Sequence, residues 1–333
     1  MKKISVFIIL LITISCQQKN EELIISFGSC NKQYLDNVLW PEIAKNNPTI
    51  WIWGGDNIYS DTDSMPKLKA DYQMQWNQKG YKDFTKNISI LATWDDHDYG
   101  LNDGGTEFHK KKESQQEFLD FFRVPKQDPR RKREGIYHSE IFKTNQGSIK
   151  VIILDTRYHR TQLTKAIDST KRYQPNTYGE GTVLGSKQWK WLEKELQNSS
   201  ADFNIIVSSI QFLSHLHGYE SWGTFPHEVD KMKKLIATTK AKGVLMLSGD
   251  RHISEFSSTK IEGLTYPLID FTSSGLTHSY DRFKGEQNPD RIGHVVSELS
   301  FGILKFDFKA HKIIMQMRGK ENILQQEIIQ SYN

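Results

Sequence analysis

The chain has 333 residues, and its 44 Lys and Arg against 40 Asp and Glu leave a formal charge of only +4, without the concentrated basic excess of a polyanion-coating protein. With 37% hydrophobic and 11% aromatic residues it can build a large core, which excludes disordered, collagenous and disulfide-scaffold classes. No apolar run reaches the roughly 18 residues of a membrane-spanning helix, so a polytopic membrane protein is excluded as well.

Lys2 and Lys3 precede an apolar stretch from Ile4 to Ile14, followed by Ser15 and Cys16. This is the layout of an export signal. About a dozen residues at roughly 1.5 Å each fall short of a bilayer core of about 30 Å, which argues against an anchor helix. The segment TISC resembles a bacterial lipobox, in which Cys16 becomes the acylated N-terminus, and the polar QQKNEE behind it reads as a tether. The expected organisation is a signal peptide over 1–15, a tether over 16–22 and a single domain over 23–333. Loss of Lys2 and Lys3 then lowers the side-chain charge from +4 to +2, and the membrane is held by lipid. Lipidation of Cys16 leaves Cys30, the other of the two cysteines, without a disulfide partner. Its thiol is then either buried as a small hydrophobe or bound to a metal.

Along the chain, short β-rich apolar runs occur at 23–27, 49–53, 87–94, 148–155, 203–209 and 243–248, each ending at polar or glycine residues. They read as buried central strands. Helical patterns lie between them at 35–46, 107–122 and 186–197, the last with Trp189, Leu192 and Leu196 on one face behind Ser186 as N-cap. The alternation indicates an α/β layered fold. YPLIDFTSS, HVVSELSFGILKFDF and KIIMQMR near the end read as antiparallel strands completing a sheet. The long aperiodic stretches 55–66, 95–106, 156–185, 210–226 and 275–293 follow strands and are expected to be functional loops.

Chemistry-bearing residues collect behind those strands: FGSC with Cys30, WGGDNIYSD with Asp56 and Tyr59, TWDDHDYG with Asp95, Asp96, His97 and Asp98, and SGDRH with Asp250 and His252. Each cluster alone also fits a turn, a cap or a solvated loop. Together they fit an α/β sheet that gathers ligands at the carboxyl ends of its strands. Converging carboxylates repel one another unless cations neutralise them, so a multinuclear metal site is the reading of the joint pattern.

The ordered set FGSC, GGDNIY, TWDDHD, ILDTRY, LGSKQWKWLEKEL, SGDRH and FTSSGLTH resembles the PhoD-like alkaline phosphatase/phosphodiesterase family, related to purple acid phosphatases within the calcineurin-like metallophosphoesterases. The resemblance covers about residues 24 to 310 and implies a two-sheet αββα sandwich. It implies Asp56 as a carboxylate bridging two metals, Tyr59 as a phenolate ligand of Fe3+ and Cys30 as a thiolate ligand. Asp96, Asp250 and His252 stand where related enzymes carry neutral ligands, which makes the second site harder and suited to one or two Ca2+. His97 is implied as the catalytic His, stabilising the phosphoryl group or protonating the leaving oxygen. Arg157 either clamps a phosphate oxygen or makes a salt bridge at a strand end. Gln211 follows a strand where many metallophosphoesterases place a metal-binding His, and which of Asp95, Asp96 and Asp98 touches metal is open.

The expectation is an exported, metal-dependent phosphoesterase acting on phosphomonoesters, phosphodiesters or both. It is a monomer with no nucleic-acid-binding module, lipid-anchored in the periplasm or outer membrane of a bacterial envelope. The alternative is a surface ligand-binding lipoprotein with structural calcium, whose aromatic loops around Tyr219 and Trp222 hold the ligand.

Overall fold

The computed structural model describes residues 22–333. The signal, lipobox and most of the tether therefore lie outside the described residues. The strands are β1 (Ile24–Gly28), β2 (Ile50–Gly54), β3 (Ser89–Thr93), β4 (His138–Lys143), β5 (Ser148–Ile153), β6 (Thr164–Lys165), β7 (Tyr173–Gln174), β8 (Phe203–Val207), β9 (Val244–Ser248), β10 (Ser254–Thr259), β11 (Leu268–Ser273), β12 (Arg291–Val296), β13 (Phe301–Asp307), β14 (Lys312–Arg318) and β15 (Leu324–Ser331). The helices are α1 (Trp40–Ala44), α2 (Met65–Trp76), α3 (Tyr81–Phe84), α4 (Asp96–Tyr99), α5 (Lys111–Phe121), α6 (Gly185–Gln197) and α7 (Pro226–Thr239).

Two large mixed sheets face one another. One runs β15-β14-β13-β1-β2-β3, the other β12-β10-β11-β9-β8-β5-β4. Within them β1, β2 and β3 are mutually parallel, as are β5, β8, β9 and β11. The two-residue side-chain period divides each strand between two layers. Val151, Ile153, Ile205, Val207, Leu245 and Leu247 belong to the core between the sheets. Ile152, Ile206 and Met246, one residue out of phase, pack with Trp189, Leu192 and Leu196 of α6 and Met232 and Ile236 of α7. Phe27 and Phe271 meet edge to face across the inter-sheet core at 4.7 Å. On the outer face of the other sheet, Trp51 and Trp53 contact Trp40 at 5.3 and 5.4 Å. The result is helix, sheet, sheet, helix.

The six apolar runs are strands, within two residues at most ends. The pattern at 35–46 shortens to Trp40–Ala44, because Pro41 is tolerated only in the first turn and sets the start there. Ser186 is not the N-cap of α6: the helix opens at Gly185, with no side-chain cap bond. The run HVVSELSFGILKFDF is split between sheets, β12 entering one and β13 the other, and β11 is antiparallel to β10 on one side but parallel to β9 on the other.

Candidate metal centre

The parallel strands of both sheets deliver their carboxyl ends to one place. Behind β1 comes Cys30, behind β2 Asp56 and Tyr59, behind β3 Asp95 and Asp96, behind β5 Arg157, behind β8 Ser209, behind β9 Asp250 and His252, and behind β11 Ser274 and His278. Cys30, Asp56, Asp250 and His252 all sit at positive φ, between 50° and 72°, where non-glycine residues are uncommon. Each marks a sharp turn of the backbone at the strand end. Gly55, at φ +100°, permits the closest approach: a Cβ there would lie 2.7 Å from Cβ of Asp95 and 2.9 Å from Cβ of Ser209.

Three overlapping groups of potential ligands result: Cys30, Asp56 and His252; Asp56, Asp96 and His97; and Asp95, Asp96 and Asp250. Asp56 is shared by the first two and Asp96 by the last two, which is the topology that bridging carboxylates need. The Tyr59 hydroxyl joins the first group, 3.1 Å from Asp56 Oδ2 and 2.9 Å from His252 Nε2. Cys30 Sγ lies 3.3 Å from Asp56 Oδ2 and 2.9 Å from Ser274 Oγ. Every residue that the sequence assigned to metal is thus brought together here.

Without a cation the cluster is electrostatically frustrated. Burial, reinforced by Cys30, holds the Asp56 carboxyl well above the ordinary carboxylate range. Burial and the neighbouring Asp95 do the same to Asp250. The Cys30 thiol is pushed up to about 11 by burial, against the pull of the Ser274 hydroxyl. Burial lowers His252 to about 4 and His278 to about 3, which leaves both imidazoles neutral with a lone pair to give. Asp56 Oδ1 and Asp95 Oδ2 are buried with no hydrogen-bond partner among the described residues. Orphaned carboxylate oxygens beside neutral imidazoles and a thiol fit bound cations, which would satisfy these atoms and let the acids ionise. The donor sets differ in character. Sulfur, phenol oxygen and imidazole nitrogen suit a softer or trivalent transition ion, whereas Asp95, Asp96 and Asp250 form an all-oxygen group suited to a hard divalent ion.

The three acids of WDDHD divide their tasks. Asp98 closes a capping box with Asp95 around α4, one oxygen accepting the Asp95 backbone N–H at 2.7 Å and the other the Asn57 side-chain amide at 2.6 Å, so both its oxygens are used within the protein. Asp96 faces the centre while its oxygens accept the N–H groups of His97 and Asp103 at 2.9 and 2.7 Å. Burial pushes Asp96 up, but His97, Arg157 and the Asp103 N–H outweigh it and bring it to about 2. Asp95 is paired with Arg157 and accepts from Ser209 Oγ at 2.7 Å.

His97 has its ring stacked on Tyr59 at 4.1 Å and its Nδ1 held by Asp61 at 2.8 Å, which leaves Nε2 for the cleft. Burial lowers its pKa, but Asp56, Asp96 and Asp61 together raise it to about 11. Of the two readings of Arg157, the geometry carries the salt bridge. Its side chain is 0% exposed and paired with both Asp95 and Glu220, so the guanidinium is not offered to a phosphate.

Gln211 is turned away from the centre, donating to Glu255 at 2.8 Å and Thr272 at 3.0 Å. Ser209, two residues earlier, is the group behind β8 that reaches the acids. His278, the last residue of FTSSGLTH, brings its Nε2 to 3.2 Å from His252 Nε2. Asp61 and Ser274 fall within WGGDNIYSD and FTSSGLTH without a role assigned by spacing, and Asp103 and Glu220 lie outside every motif; only the folded chain brings the four in. Trp222 is fully buried against Trp189 and Phe212, which removes it from any ligand-holding loop.

Comparison with known proteins agrees with this geometry. The chain is 26% identical over 140 residues to alkaline phosphatase D of Bacillus subtilis (strain 168), a match covering 37% of this chain and only 24% of that relative's length. Its fold is similar to the structure of PhoD, with a TM-score of 0.70 at 16% identity over 93% of this chain and 68% of that one. It is also similar to a dimetal phosphatase from Danio rerio, with a TM-score of 0.53 at 11% identity over 93% of this chain and 99% of that one. A sequence model of the PhoD-like phosphatase family matches residues 11–287, and the chain belongs to that family.

Proposed function

We propose that the protein is a metal-dependent phosphoesterase that hydrolyses phosphomonoesters, phosphodiesters or both. The observation that carries this reading is the buried, unpartnered Asp56 Oδ1 at the junction of two ligand groups. Cys30, Asp56, Tyr59 and His252 would hold Fe3+, and Asp56, Asp96 and Asp250 with Asp95 would hold one or two Ca2+. When bound, such ions polarise phosphoryl oxygens and acidify water.

The chain's own residues supply the rest. In hydrolysis the oxygen of water bonds to phosphorus as the ester P–O bond breaks, and the departing oxygen needs a proton. His97 is placed to give it from Nε2, since Asp61 holds the proton on Nδ1 and the Tyr59 ring fixes the imidazole plane. The attacking water gives its proton to solvent, and His97 takes one back from solvent after turnover, so the protons balance. Arg157 positions Asp95 and Glu220 from beneath, without touching substrate. Asp56→Asn tests the reading: metal content and phosphate release should fall together, whereas full activity at unchanged metal content would overturn it.

The export signal and lipobox support a lipoprotein held in the cell envelope through Cys16. Acylation at Cys16, read by mass spectrometry of the membrane fraction, and release of a Cys16→Ser protein from that fraction are the corresponding tests.

A further inference from the structure

We propose that the rim of the metal cleft binds a second phosphate carried on the leaving group, and that Arg172 and Arg251 select substrates of that kind. The inference rests on the phosphoesterase reading above and concerns the part of the substrate that is released.

The cleft encloses about 270 Å3, with Asp96, His97, Asp250 and His252 at its floor. That is close to the lower end of small-ligand pockets, roughly 300 Å3, and suits a compact two-headed ester. The floor is acidic and receives an anion only by way of cations. A second phosphate on the same molecule needs positive charge of its own, away from the floor. Among the described residues, Arg172 and Arg251 are the only Lys or Arg side chains lining the cleft.

Both are anchored without being used up. Arg172 pairs with Asp103 at 2.6 Å, and its side chain is 51% exposed. Asp103 in turn donates its N–H to Asp96 Oδ2 at 2.7 Å, so this arginine is tied to the floor through one residue. Arg251 lies between Asp250 and His252 in the chain, and its guanidinium stacks on the Tyr219 ring at 4.1 Å. It gives Nη2 to Glu286 at 2.6 Å, while its buried Nε–H has no partner among the described residues. Its side chain is 10% exposed, so it meets the cleft by one edge; a guanidinium has five N–H donors in a planar fork, and one such bond leaves donors over for a phosphate at that edge. The Gly218 carbonyl accepts the Arg172 and Tyr173 N–H groups at 2.9 and 2.8 Å, which ties the segment bearing Arg172 to the loop whose Tyr219 supports Arg251. The rim is therefore one preassembled cationic edge facing an acidic floor.

Phosphate release from propyl phosphate and from propane-1,3-diyl bisphosphate tests this on the metal-replete full chain. The expected result is a kcat/KM for the bisphosphate about tenfold above that for propyl phosphate, beyond the factor of two for two reactive ends, carried by KM. Arg172→Met and Arg251→Met should each bring that ratio down several-fold, and Arg251→Lys should restore only part of it because the fork is lost. Glu286→Gln, which removes the competing carboxylate, should raise the ratio. Arg172 is half exposed, so its variant separates rim chemistry from folding. Calorimetric binding of propane-1,3-diyl bisphosphonate against propylphosphonate reads the same preference without turnover. A wild-type ratio of about two, or ratios and binding unaltered in both arginine variants, would overturn the proposal. Hydrolysis of neither ester, nor of the diester bis(4-nitrophenyl) phosphate, would overturn the phosphoesterase reading instead, and the bisphosphonate binding would then decide the rim by itself.

Discussion

Arg157 and Asp95 form an ion pair in which both side chains are 0% exposed, and Glu220 completes a triad around the same guanidinium. The pair joins the loop behind β5 to the loop behind β3 under the metal-binding acids. Burial opposes the charge on Arg157, yet Asp95 and Glu220 hold its pKa well above the ordinary value. Removing Arg157 leaves Asp95 buried without its cation, while Glu220 keeps Arg160 at 2.8 Å. Arg157→Met is expected to cost about 3–5 kcal/mol of stability. Denaturant unfolding measures this, and a loss under 1 kcal/mol would refute the structural part assigned to Arg157.

His97 depends on Asp61 for its orientation and tautomer. Asp61→Asn keeps the hydrogen bond but not the charge, and phosphate release from alkyl esters should fall about 10- to 100-fold. Esters of 4-nitrophenol, whose leaving group needs no proton, should be much less affected. Equal losses on both classes would show that His97 is not the acid.

Tyr59 and Cys30 share one ligand group with different donor atoms. Protein purified from iron-replete cells without chelator should carry a visible tyrosinate-to-iron band. Tyr59→Phe should abolish the band, while Cys30→Ser should lower bound iron. Calcium alone, with no iron or zinc and no band, would remove both residues from the ligand set.

His138 is the group for which acid should matter most outside the centre. Burial lowers its pKa to about 3, helped by nearby Arg130. The unfolded chain therefore takes a proton that the folded chain refuses. The stability it contributes is fully present above the unfolded value of about 6.5 and is lost as pH falls from there toward 3, at up to about 1.4 kcal/mol per pH unit. Unfolding free energies at pH 7.5 and 5.5 should diverge less in His138→Gln than in the parent. An identical pH dependence in the two proteins would contradict the assignment.

Much of the fold is legible in local patterns. Runs such as IWIWG and FNIIV are apolar on both faces and flanked by polar punctuation, so each declares a buried strand without reference to the rest of the chain. Short or irregular elements are less legible. α2 has little amphipathic pattern, and β4 is largely exposed on both faces, so neither stands out by periodicity. α7 is amphipathic but follows directly on a loop rich in aromatic and small residues, with no cap side chain to announce it.

For the candidate centre, sequence by itself determined which side chains stand behind the buried strands and in what order: a thiol, an acid and a phenol, the acids of WDDHD, then an acid and a histidine. Tertiary structure decided their division of labour. Asp95, Asp96 and Asp98 are neighbours in the chain with nearly the same composition around them, and only their different partners separate a buried ion pair, a facing ligand and a helix cap. Those partners lie far away in sequence, Arg157 Nε 62 residues from Asp95 and the Asn57 amide 41 residues from Asp98. Local patterning acts through side-chain alternation over a few residues, whereas such contacts depend on which strand lies beside which. That order is set when two sheets close on one core.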